Sequence, residues 1–321
     1  MARPGLDRRQ KRARRARRAL AARGFNECVT WSFLGTGAAR RFGGGAPELR
    51  LANPISAALS DMRPSLLPNL AAAAARNMAR GRADFALFEV GPIYAGDTPE
   101  DQATAAGGIR CGASGPRHWL AAPRAVDAFD AKADALALVA ARGGPAERLR
   151  AAADAPAWYH PGQSGVLRLG PRNVIAHFGL LHPRTAAAFD VSGPVAAFEV
   201  FLDRLPVARA VGGTARPALS VSDLQVVRRD LAFVVAADLP AASLLDCVRG
   251  MSGKVPGKFA LSDVALFDDY RGEGVGPSRK SLAVSFAIMP HDRTPTDEEI
   301  QAVVDAVVAR VAKAAGGELR G

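Results

Sequence analysis

RRDLAFVV (228–235), LFDDYRGEGVG (266–276), RKSLAVSF (279–286) and DRTPTDEEI (292–300) are the stretches whose reading decides the fold. Residues 231–235 read as a strand, and 240–250 as a helix opened by Pro240 and closed by Gly250. Strands follow at 262–267 and 282–288. In the second of these Leu282, Val284, Phe286 and Ile288 alternate with small residues, a period of two that turns one face to a core. The next helix carries the clearest signal. Thr296 caps it, Glu299 three residues later completes a capping box, and Asp297 and Glu298 suit the positive end of the helix dipole. Ile300, Val303, Val304, Val307, Val308 and Val311 recur at helical spacing, and Gly316 and Gly317 end the run. Residues 318–320 make a short closing strand. The order βαββαβ is ferredoxin-like, an arrangement that hosts many functions and by itself assigns none.

Working outward, residues 208–217 have linker composition, with Gly212, Gly213 and Pro217. The sequence therefore divides into a basic helical lead-in at 1–24, a domain at 25–207, a linker at 208–221 and a second domain at 222–320. In the first domain 27–33 reads as a strand, with Val29, Trp31 and Phe33 alternating with Thr30 and Ser32. A turn and an extended piece through Met62 lead to an alanine-rich helix with Pro68 in its first turn and Gly81 at its end. Strands are expected at 85–97, 103–113, 158–170, 174–183 and 195–206, and a helix at 129–141.

The chain of 321 residues is half apolar, enough for two well-formed cores. No apolar run approaches the length of a membrane span, and no secretory signal is legible. Cys28, Cys111 and Cys247 match neither a zinc spacing nor a small disulfide framework, which fits a reducing cytoplasm. The net charge of +11 is unevenly placed: residues 1–24 hold ten Lys or Arg against Asp7 alone, whereas 222–321 hold twelve bases against fourteen acids. The run RRQKRARRARRALAARG (8–24) reads as a helix that either faces water or an acidic partner, or tracks phosphates or a membrane surface.

The C-terminal motifs, in this order, resemble the ferredoxin-fold anticodon-binding domain that ends the β subunit of bacterial phenylalanyl-tRNA synthetase. NPIS…SDMRPSLLPNL (53–70), ALFEVGPIY (86–94), HPGQSG (160–165) and FGLLHP (178–183) look like the class-II-synthetase-like domain of the same subunit. The resemblance covers nearly the whole chain and implies an α+β fold: a class II synthetase-like antiparallel sheet with flanking helices, followed by the ferredoxin-like domain. The family's β subunit is much longer, so the sequence reads as its C-terminal part, or as the product of a split or truncated gene. Its editing module is absent, and editing is not assigned.

Class II adenylate chemistry needs an arginine on the ATP α-phosphate and a glycine-rich motif ending in a second arginine, because attack there builds negative charge. ALFEVGPIY instead runs into Ala95, Gly96 and Asp97. FEVFLDRL (198–205) has no glycine cluster, and Arg204 is left as a structural residue. No catalytic or metal-binding residue is expected in this chain. ATP and Mg²⁺ are implied for the whole enzyme, with the chemistry in the α subunit. His160 and His182, each before a proline, are expected in turns or core; Cys111 and His118 are isolated. Glu89 and Glu199 sit in apolar strands, where each is expected to pair with an arginine.

The tRNA-binding candidates are Arg228, Arg229, Tyr270, Arg271, Arg279, Lys280 and Arg293. Unpaired bases stack on aromatic and guanidinium faces, and Tyr270–Arg271 offers both. The rival role for Arg228 and Arg229 is pairing with Asp230, Asp268 or Asp269. The resemblance thus implies a non-catalytic structural and tRNA-binding part of a cytoplasmic α2β2 ligase, with the α subunit and tRNA-Phe as partners. The alternative is a free-standing RNA-binding protein derived from such a subunit.

Overall fold

The computed structural model describes residues 5–141, 143–206, 223–290 and 293–320. Two compact units divide the chain, Met1–Val211 and Gly212–Gly321. The expected linker at 208–221 lies outside the described residues.

The first unit opens with α1 (Arg8–Ala22), whose N-terminus is closed by a reciprocal capping box between Asp7 and Gln10. Its strands are β1 (Asn26–Glu27), β2 (Phe33–Leu34), β3 (Asp61–Met62), β4 (Phe85–Tyr94), β5 (Gln102–Cys111), β6 (Arg150–Ala152), β7 (Tyr159–Leu169), β8 (Asn173–Leu181) and β9 (Val195–Phe201). Its other helices are α2 (Thr36–Arg41), α3 (Leu67–Met78), α4 (Ala128–Ala140) and α5 (Pro183–Ala187). Seven strands form one sheet in the order β1-β4-β5-β9-β8-β7-β6. All neighbours are antiparallel except β1 and β4.

Alternation along the central strands feeds two cores. On one face Phe88, Ala106, Ile175, Phe198 and Val200 pack with Leu20 of α1 and Leu138 of α4. On the other, Leu87, Ala105, Ile109, Tyr159, Ala197 and Phe201 pack with Leu67 and Leu70 of α3. Gly108 has a steric reason: a Cβ there would lie 2.6 Å from the Phe198 ring.

One expected element does not form as read. Residues 27–33 are not one strand. Asn26–Glu27 pairs with β4, Phe33–Leu34 pairs with β3, and the chain between them leaves the sheet. Val29 is 90% exposed and Trp31 69% exposed, so the apolar alternation marked no buried face. The cause is polar. The Thr30 N–H and hydroxyl donate to the Glu89 carboxylate (3.3 and 2.6 Å), and Arg63 donates to the Trp31 carbonyl (3.4 Å). These bonds hold the segment away from a ladder partner.

The second unit contains β10 (Val227–Ala236), α6 (Ala241–Arg249), β11 (Ala260–Tyr270), β12 (Arg279–Met289), α7 (Asp297–Ala315) and β13 (Glu318–Leu319). The sheet runs β11-β12-β10-β13, all antiparallel, which completes the ferredoxin-like fold. Thr296 and Glu299 form the expected capping box of α7, and Gly316 takes the left-handed conformation (φ 61°) that stops it. Phe233, Val235, Leu282, Val284, Phe286 and Ile288 meet Leu244, Val248, Val303 and Val307 in the core.

Candidate nucleic-acid interface

Residues directly opposite each other in an antiparallel pair share a face. Leu282, Val284, Phe286 and Ile288 lie under the helices, so their strand neighbours Ser281, Ala283, Ser285 and Ala287 lie on the other face of the sheet. Register places Ser262, Ala265, Asp268 and Tyr270 of β11 on that face, together with Arg228, Asp230, Ala232, Val234 and Ala236 of β10 and Glu318 of β13. Its central rows are floored by small residues: Ala232 opposite Ala283, and Val234 opposite Ser281.

Two long side chains meet across this floor. The Arg320 guanidinium lies 5.0 Å from the centroid of the Tyr270 ring. The Arg320 N–H donates to the Ala232 carbonyl (2.8 Å), which anchors the arginine beside the floor. The strands bearing the two residues are separated by β12 and β10, about 14 Å of sheet, so the pair spans the face. The Tyr270 hydroxyl donates to the Glu273 carbonyl (3.1 Å). A Cβ on Gly272 would lie 2.5 Å from that hydroxyl oxygen, so glycine leaves the ring its place. Tyr270 as a residue is 38% exposed. Beneath the pair Ser281 and Ala283 are buried, so what this face offers is an aromatic ring with a cation on it, the kind of platform on which an unpaired base stacks.

The other candidates distribute unevenly. Arg279 reaches this face and binds Glu318 (3.1 Å), depressing the carboxyl pKa. Arg228 binds Asp263 (3.2 Å) rather than Asp230, Asp268 or Asp269. Arg271 binds Asp269 (3.0 and 3.2 Å), which holds that carboxyl below its usual range. Arg229 sits opposite Phe286 in register, on the helix side, and donates to the Arg228 carbonyl (2.8 Å). Lys280 lies opposite Val235 on that same side and is only 4% exposed. Arg293 caps α7 through Glu299 (2.8 and 2.6 Å) and pushes that carboxyl down to about 2. The structure therefore brings Arg228, Tyr270 and Arg279 to one face and does not bring Arg229, Lys280, Arg271 and Arg293 to it by register. Arg320 and Ser281 were missed. The alternation of the closing strand could have found Arg320, since residues 318 and 320 share a face.

In the first unit the buried polar groups serve the fold. Arg63, 1% exposed, donates to Glu89 (2.8 Å), Thr30 (3.0 Å) and the Pro92 carbonyl (2.8 Å). Gly91 makes room for it, since a Cβ there would lie 2.5 Å from its guanidinium. Glu199 departs from expectation: among the described residues no arginine pairs with it directly. Its Oε1 accepts from the Ser65 hydroxyl (3.1 Å) and the Leu66 N–H (2.8 Å), and burial pushes its pKa up to about 7. Opposite it on β8, half-buried His177 is pushed down to about 4 by desolvation, so both groups favour their neutral forms. Arg204 stacks on Phe201 (4.3 Å) and donates to the Val174 carbonyl (3.2 Å). His160 lies within β7 and accepts the Gly162 N–H, His182 is the N-cap of α5 and accepts the Arg184 N–H (3.1 Å each), and their rings stack at 6.5 Å. Burial pushes the Cys111 thiol up to about 12. Among the described residues no cluster of three or more His, Cys, Asp or Glu is placed to hold a metal ion, and no helix is long and apolar enough to cross a membrane.

Comparison with known proteins adds the lineage. The family model "Phenylalanyl tRNA synthetase beta chain CLM domain" matches residues 1–202, and "Ferredoxin-fold anticodon binding domain" matches residues 222–320. The phenylalanine–tRNA ligase beta subunit of Paramagnetospirillum magneticum is 50% identical over 321 residues, covering 100% of this chain and 40% of that one. That of Rhodopseudomonas palustris is 47% identical over 323 residues, covering 99% and 40%. The chain thus spans about two-fifths of the length of these relatives. Among solved structures, pyrrolysyl-tRNA synthetase from Desulfitobacterium hafniense is similar with TM-score 0.47 and 16% identity, covering 61% of this chain and 67% of that one. On the two family matches and the near-full-length relatives, the chain belongs to the phenylalanine–tRNA ligase β-subunit family.

Proposed function

We propose that this chain is a non-catalytic structural and tRNA-binding portion of a phenylalanine–tRNA ligase β subunit. Its first unit packs against the α subunit, and its second reads the anticodon region of tRNA-Phe in the cytoplasm. The complete enzyme, an α2β2 assembly, joins phenylalanine to its tRNA with ATP and Mg²⁺, neither of which this chain holds.

The observation that carries the RNA contact is the Tyr270–Arg320 pair over the strip of Ala232, Ala283 and Ser281. An anticodon base lies on the Tyr270 ring, with Arg320 moving aside or closing over it. The flanking Arg228–Asp263 and Arg279–Glu318 pairs are exposed at one or both ends. Exposed pairs are worth about 0–1 kcal/mol, so exchanging an aspartate for an RNA phosphate costs little.

The filled α3 face of the first sheet supports catalytic silence. Leu66, Leu67, Leu70, Tyr159 and Phe201 occupy it, its central carboxyl Glu199 is engaged by Ser65 and Leu66, and Arg204 is held on Phe201.

Co-expression with the α subunit from the same organism, followed by size-exclusion chromatography with light scattering, tests the reading. A complex containing both chains and able to charge tRNA-Phe is expected. If the chain elutes alone as a soluble monomer that still binds tRNA, it is a separate RNA-binding protein. Phenylalanine-dependent ATP–pyrophosphate exchange by this chain alone refutes catalytic silence.

A further inference from the structure

Residues 222–321 contain five Phe or Tyr residues and no Trp. Three of the five, Phe233, Phe259 and Phe286, are buried in the core of the second unit. The other two, Phe267 and Tyr270, are exposed, and both lie on β11. The Arg320 contact accounts for the place of Tyr270. Phe267 has no such contact. It is 58% exposed, and among the described residues no aromatic ring or cation lies against it. A β-bulge puts it there. Leu266 stands opposite Val284, on the helix side, and Asp268 stands opposite Ala283, on the open face, so Phe267 is an extra residue between them. Bulges interrupt the ladder and re-aim the side chain they insert. Because β11 is an outermost strand of its sheet, no described strand lies beyond the ring. A phenyl ring left in water forgoes the burial that stabilises the other three.

We infer that Phe267 is a second base-stacking platform for single-stranded RNA and holds a different base from the one on Tyr270, a step that rests on the tRNA-binding function proposed above. Spacing supports it first. Three residues of strand place the two side chains about 10 Å apart, close to three base rises of about 3.4 Å. The rings therefore suit two bases of one loop, up to about three nucleotides apart, and aromatic residues on a sheet bind successive bases in this way. Charge supports it next. Asp268, beside the ring, is exposed and repels phosphate, so the face of a base approaches rather than the backbone. Residues 222–321 hold twelve bases against fourteen acids, so phosphate neutralisation supplies little of this unit's affinity and stacking supplies more. A phenyl ring has no hydrogen-bonding group, and every base has a π-face. Phe267 thus adds affinity without reading base identity.

The test uses the full chain and a tRNA-Phe transcript, with affinity measured by fluorescence anisotropy across a KCl series. Wild type is compared with F267A, F267L, F267W, Y270A and F267A/Y270A, and the melting transition of each is checked, since so exposed a side chain contributes little to folding. F267A should weaken binding by about 5- to 150-fold, the worth of one stacked base. The slope of log affinity against log salt should stay the same, because a stack neutralises no phosphate. F267W should keep the affinity and F267L should not. The losses in F267A and Y270A should multiply in the double variant, as for independent sites. Transcripts carrying 2-aminopurine at each anticodon-loop position in turn, quenched when stacked, should respond to F267A at one position and to Y270A at another. If wild type binds tRNA, Y270A is weak and F267A binds like wild type, this inference falls and the proposed function stands. If wild type binds no tRNA, both fall. If F267L restores full affinity, the site needs apolar bulk rather than a ring, and the inference is overturned. If F267A keeps tRNA affinity but no longer co-purifies with the α subunit, Phe267 is a protein contact and the inference is again overturned.

Discussion

Glu199→Gln should make the first unit more stable at alkaline pH and leave it unchanged in mild acid. Glu199 lies on β9 in the packed core against α3. Burial raises its pKa from 4.5 to about 7, against the opposing pull of the Leu66 and Ser65 hydrogen bonds. The folded state thus holds the Glu199 proton more tightly than the unfolded state. Below pH 4.5 the carboxyl is neutral in both states and nothing is lost. Between 4.5 and about 7 unfolding releases a proton, so stability falls as pH rises. Above 7 the loss is complete, and the gap between the two pKa values corresponds to about 3 kcal/mol. Glutamine keeps an acceptor for the Leu66 N–H and the Ser65 hydroxyl and never ionises. The variant-minus-wild-type difference should therefore grow from near zero at pH 4.5 to about 3 kcal/mol at pH 8.5. Wild type alone hides the effect. Neighbouring His177, lowered to about 4, loses stability as pH falls from 6.5 toward 4 and offsets the trend. All three tryptophans (Trp31, Trp119, Trp158) belong to the first unit, so urea unfolding followed by tryptophan fluorescence reports it selectively. A shift of about 1–2 M in the urea midpoint at pH 8.5 is expected. A difference that is flat with pH, or that favours wild type at alkaline pH, refutes the assignment of Glu199 as a buried carboxyl without a direct cationic partner.

The remaining predictions concern both units. Arg63→Met leaves Glu89 buried and unpaired, and should destabilise the first unit by about 3–5 kcal/mol in the same urea assay. Tyr270→Ala should weaken tRNA-Phe binding by about 5- to 150-fold, the worth of one stacked base, whereas Tyr270→Phe keeps most of the affinity. Lys280→Gln should change tRNA affinity by less than about threefold, because the residue is buried on the helix side; a loss matching that of Tyr270→Ala would contradict this. Thr296→Ala removes the cap of α7 and should cost the second unit about 1 kcal/mol by differential scanning calorimetry.

Much of the second unit was legible before any coordinates. The six-residue valine and isoleucine stripe, the Thr296–Glu299 box and the alternation at 282–288 are local signals, and each names an element and its buried face. The same logic failed at 27–33. The apolar residues there alternate, but Glu89 and Arg63, distant in sequence, bind the segment and expose Val29 and Trp31.

The sequence by itself determined the elements of the second unit, their ferredoxin-like order and the positive charge of α1, because propensity, periodicity and charge are local properties. Only the tertiary structure decided which of those charges the fold engages. Arg9, Arg12, Arg17 and Arg23 find partners in the fold, and Arg8, Lys11, Arg14, Arg15 and Arg18 do not among the described residues. Strand register likewise set Tyr270 and Arg320, fifty residues apart, on one face while turning Lys280 inward beside Val235. Whether an arginine is a brace or a binding group depends on which acids, carbonyls and rings lie within about 3–5 Å of it, a distance that folding fixes between residues far apart in the chain.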